Sequence, residues 1–65
     1  MVDRVIVLID LENHLSDAAK ALRCAWLLCK RHGMVATAKE LADTVLDVET
    51  AYQSAKIERE QEAGE

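Results

Sequence analysis

The sequence predicts an all-α fold: an antiparallel helical hairpin, or two-helix coiled coil, that pairs with a second copy into a four-helix bundle. Three observations point there. Ala and Leu dominate a composition with no Pro, two Gly and only Trp26 and Tyr52 as aromatics, which favours helix over sheet. Apolar residues recur at alternating spacings of three and four in each half of the chain, the pattern of an apolar seam on one helix face. Between the halves lies "KRHG": basic residues suited to a helix C-terminus, then Gly33 where a left-handed residue is wanted.

The first helix is predicted over about residues 3–31, with Leu8, Leu11, Leu15, Ala18, Leu22, Ala25 and Cys29 as its seam. A turn follows at about 32–37. Thr37 with Glu40 three residues later has the form of a capping box, so the second helix begins at Met34 or only near Ala38 and runs to about 58. Its seam is Met34, Ala38, Leu41, Val45, Val48, Tyr52 and Ala55. Folding about the turn pairs Ala25 with Ala38, Leu22 with Leu41, Ala18 with Val45, Leu15 with Val48, Leu11 with Tyr52 and Leu8 with Ala55. Residues 1–57 thus read as one hairpin domain. Residues 59–65, within "IEREQEAGE", read as an acidic tail, a fraying helix end running into solvent.

Sixty-five residues make one marginal domain, since a chain this short buries only about 60% of its unfolded surface. Cys24 and Cys29 lie five positions apart and point in different directions on a helix, so they do not bridge. With no signal peptide read ahead of them, they predict a reducing, cytoplasmic setting. Oligomerisation is then the source of extra buried area. No apolar stretch is long enough to span a bilayer. The net charge of −4 argues against general nucleic-acid binding, where positive charge supplies most of the affinity.

A lone hairpin leaves Val5, Val7, Ile9 and Leu27 outside its seam, together with Trp26, Leu28, Val35 and Leu46. The last four are the candidate partner-binding residues, with Trp26 as the anchor, because a Trp flanked by Leu is the kind of side chain that dominates interfaces. Leu8, Leu11, Leu15, Leu22, Leu41, Val45, Val48 and Tyr52 are the candidate hairpin or dimer core. Cys29 and His32, three apart, lack the further converging ligands that zinc needs, and nothing marks an orienting group for a Cys–His nucleophile. The helical carboxylates, Glu12 among them, read as solvated faces. No catalytic residue, metal or cofactor is assigned.

Two rival readings accompany this one. The stretch "VIVLIDLEN", rich in β-formers, resembles the first strand and acidic loop of NYN/PIN-like nucleases. That resemblance covers about ten residues. It implies a fragment in which Val5–Ile9 is a strand, Asp10 a metal ligand and Asn13 its neighbour. Separately, Lys20, Arg23, Lys30, Arg31 and Lys39 collect toward the turn end, an arrangement similar to Rop-like RNA-binding helical dimers. The sequence favours a third function over both. It predicts a small non-enzymatic adaptor, inhibitor or regulator, of the kind found in phage and mobile elements, that masks or bridges a protein partner as a homodimer.

Overall fold

In a computed structural model of the chain, which describes residues 3–64, two helices pack side by side. Helix α1 spans Arg4–Arg31 and α2 spans Val35–Ala63. The opening apolar run is therefore helical, not a strand. Its β-forming side chains are overridden because Leu8 and its heptad neighbours find an apolar partner in α2. The helix start has a cap the residue pattern did not disclose. Asp3 is extended, with φ −69° and ψ 120°, and its carboxylate accepts the Val5 amide at 2.9 Å, satisfying one orphan donor.

Only His32, Gly33 and Met34 separate the helices, so the turn is shorter than the predicted 32–37. The Met34 amide donates to the Cys29 carbonyl at 2.9 Å and the Gly33 amide to Lys30 at 3.4 Å, which is the double closure of a Schellman motif. Gly33 sits at φ +71°, and a Cβ added there would meet nothing within 4 Å. The cost of a side chain is thus purely that of left-handed backbone. Gly33→Ala is expected to lower stability by about 1 kcal/mol, read as a reduced urea midpoint with unchanged slope. Met34 caps α2 without a side-chain hydrogen bond, and the helix starts upstream of Thr37 and Glu40, so their capping box is not used.

The hairpin seam of α1 differs in phase from the predicted one. Leu8, Leu15, Leu22 and Cys29 lie on it as foreseen, but the alternate positions are Val5, Glu12, Ala19 and Trp26. Leu11 is 43% exposed, outside the hairpin core, and Ala18 and Ala25 are half-buried along its edge. The reason is Glu12. A carboxylate looks like a surface residue, yet here it is only 7% exposed, because the Arg59 guanidinium donates to it at 2.5 Å from across the hairpin. A buried charge that is paired can occupy a seam position that an unpaired one could not.

The same ion pair departs from the predicted register, which would set Glu12 opposite Ala51, eight residues short of Arg59. Leu15 and Ala19 share a cleft with Glu49 and Tyr52, and Glu12 lies between Tyr52 and Arg59. The predicted pairing folded the chain at the end of α1, whereas the ion pairs Glu12–Arg59 and Arg23–Glu49 join residues mirrored about a point just beyond Gly33. On α2, Leu41, Val45, Val48 and Tyr52 are half-buried and Ala38 and Ala55 fully so; Met34 is exposed. The acidic segment is a helix end, as its reading had it, but one held against α1. Helix α2 continues through Ala63, with Arg59 tied to Glu12 and Glu62 to Arg4 at 3.2 Å.

Candidate interaction surface

Two helices make a rod with little inside. The radius of gyration is 15.0 Å, against about 11 Å for a compact chain of this length. The rod measures 49 × 15 × 14 Å and exposes 5057 Å², whereas a compact monomer of 7.2 kDa would expose about 4,100 Å². The surplus, about 900 Å², matches what one partner contributes to a standard protein interface. Among the described residues it includes large apolar side chains on both helices, Ile6, Val7 and Ile9 among them.

Near the turn this surface takes a definite form. Trp26 is half-buried and carries the Lys30 ammonium 5.3 Å from its ring centroid, a cation–π pair at i,i+4 spacing. One shallow cleft joins Trp26 and Cys29 to Val35, Ala38 and Lys39. A second, more apolar one joins Trp26 to Ala42, Val45 and Leu46, with Arg23 and Glu49 closing its end. Arg23 and Glu49 form an ion pair across the helices. The α1 stretch from Arg23 to Lys30 and the α2 stretch from Val35 to Glu49 thus build one face, a ridge of indole flanked by apolar and basic groups.

Of the four candidate partner-binding residues, the fold brings three together: Trp26 shares one cleft with Val35, 78% exposed, and the other with Leu46, 62% exposed. Leu28, 58% exposed, lines neither cleft, because two residues along a helix turn a side chain away from its neighbour. Lys30 and Lys39, read from the sequence as part of a basic turn end, and Ala42 belong to this face as well. The Trp26–Lys30 spacing was the available signal; the contribution of α2 depended on register.

The remaining chemistry-bearing side chains are dispersed. Cys29 is buried in the seam and Cys24 is exposed. His32 is the C-cap of α1. Asp10, the carboxylate of the nuclease resemblance, faces solvent beside His14 at 3.5 Å. Among the described residues no three of His, Cys, Asp and Glu converge on one point, and no helix is long and apolar enough to cross a membrane. The chain matches no protein-family model, no curated protein and no solved structure.

Proposed function

We propose that the chain is a non-catalytic interaction module: a helical hairpin that associates with a second copy and masks or bridges a partner protein through its Trp26 face. The observation that carries this reading is the surplus of about 900 Å² of exposed surface over a compact monomer, together with the large apolar side chains left exposed on both helices. Leaving such surface in water is costly at about 25 cal/mol per Å², and covering it is what a second copy and a partner would do. The partner face has a chemistry. Trp26, Val35 and Leu46 supply apolar anchors while Lys30 and Lys39 supply positive charge, which suits an acidic, amphipathic segment of another protein.

RNA binding through the basic turn end is less well supported, since Arg23 is engaged by Glu49 and the chain carries a net charge of −4. Sedimentation and circular dichroism across a dilution series test the association. A helical dimer that loses helix as it dissociates is the expected result; a well-folded monomer at every concentration would overturn it. Retention of cellular material on immobilised protein at two salt concentrations tests the partner class. Trp26→Ala is expected to abolish protein retention, with modest salt dependence. Retention of RNA that collapses steeply with salt would favour the other reading.

A further inference from the structure

The outer flank of α1, not α2 and not the Trp26 face, is where the geometry points to the second copy docking, antiparallel helix against helix. This rests on the association proposed above and adds which surface performs it. Val7, Leu11, His14, Ala18, Ala21, Ala25 and Leu28 recur at alternating spacings of four and three, a second heptad line, interrupted by one histidine, beside the one that faces α2. It lies on the opposite flank of α1 from Arg23 and Lys30. The hairpin leaves its large members in solvent, with Val7, Leu11 and Leu28 all exposed.

Charge order along its edge selects the partner. Asp10 and Asp17 precede Arg31 on the adjoining line of α1. Two α1 helices running antiparallel, centred between Ala18 and Ala21, bring Leu11 of each copy opposite Leu28 of the other. They also bring Asp10 within reach of Arg31. The matching flank of α2 carries Glu40, Asp47 and Glu58, so pairing α2 with α2 would set acid against acid. Pairing through α1 leaves the clefts around Trp26 uncovered, so one molecule can dimerise and bind at once.

Ala21→Glu tests this, because Ala21 is exposed in the hairpin and glutamate is a good helix former. The variant is expected to keep its helical spectrum while its dimerisation weakens about 100-fold or more. Leu27→Glu, on the far side of α1, is expected to leave dimerisation unchanged. Asp10→Arg and Arg31→Asp are each expected to weaken it, and the double swap to restore it. That arm decides the matter should Ala21→Glu fail to fold. A wild-type dimer that persists in Ala21→Glu, or is not rescued by the double swap, would overturn this face while leaving association intact. A wild-type monomer at every concentration would overturn both.

Discussion

Arg59→Met is expected to melt about 10 °C or more below the wild-type chain, although Arg59 lies in what reads as an acidic tail. The substitution strands the Glu12 carboxylate, 7% exposed, on the seam between two helices without the guanidinium that donates to it at 2.5 Å. Breaking such a pair costs far more than the pair itself contributes, because the orphaned charge stays desolvated. The sign reverses in the double variant: Glu12→Leu with Arg59→Met is expected to melt at or above the wild-type temperature, since both groups then become apolar packing. Thermal unfolding followed by circular dichroism, completed as a double-mutant cycle, reads this directly. A single variant that melts with the wild type would mean that water reaches the carboxylate.

The pair also has a register role. Sliding one helix past the other by a heptad would place Glu12 against Tyr52 in place of Arg59, leaving the carboxylate without a cation. A polar residue at one seam position is a known way to pin alignment at some cost in stability. Hydrogen bonding to Glu12, and then its charge, raises the Arg59 pKa above its ordinary value. The stability linked to a raised pKa is present below the unfolded value and lost only as pH climbs through the folded one. The guanidinium side of the pair therefore stays charged throughout the neutral range.

Leu8→Ala is expected to cost about 2–4 kcal/mol, the usual range for emptying a buried leucine site. Leu8 is 5% exposed and packs toward the open end of the hairpin, where no covalent turn holds the helices together. A 65-residue chain has only about 3–10 kcal/mol of net stability to lose, so this one truncation removes a large share. Leu27→Ala, at a residue about half exposed, is expected to change stability by less than about 0.5 kcal/mol. Urea titrations of both variants at matched protein concentration make the comparison. Equal losses at the two sites would mean that the seam does not run through Leu8.

Much of the hairpin was legible because its signals are local. Gly33 after a basic run predicts where α1 ends, and six apolar positions on α2, Ala38 to Ala55, predict which face turns inward. The phase of α1 was less legible, for a physical reason. This helix is apolar on two adjoining lines, Leu8–Leu11–Leu15–Ala18 and Val5–Leu8–Leu15–Ala19, and hydropathy alone ranks the first higher because the second contains Glu12. Only a cation from forty-seven residues away makes Glu12 acceptable inside. The outer line is then freed, and it is the one proposed to meet a second copy. The Trp26 face was half visible: Trp26, Val35 and Leu46 stand out in the sequence, but that they share clefts with Lys39, and that Leu28 lies apart from them, depends on the alignment of the helices.

By itself, then, the sequence determined two amphipathic helices, the residue about which they reverse, and more apolar surface than one hairpin can hide. Helical period and glycine backbone freedom act over a few residues, so neighbours along the chain suffice to reveal them. Tertiary structure alone decided the seam of α1, the register and the anchoring of Arg59 against α1. Those depend on the Glu12–Arg59 pair, and the desolvation of one charge is tolerable only where the fold delivers the other.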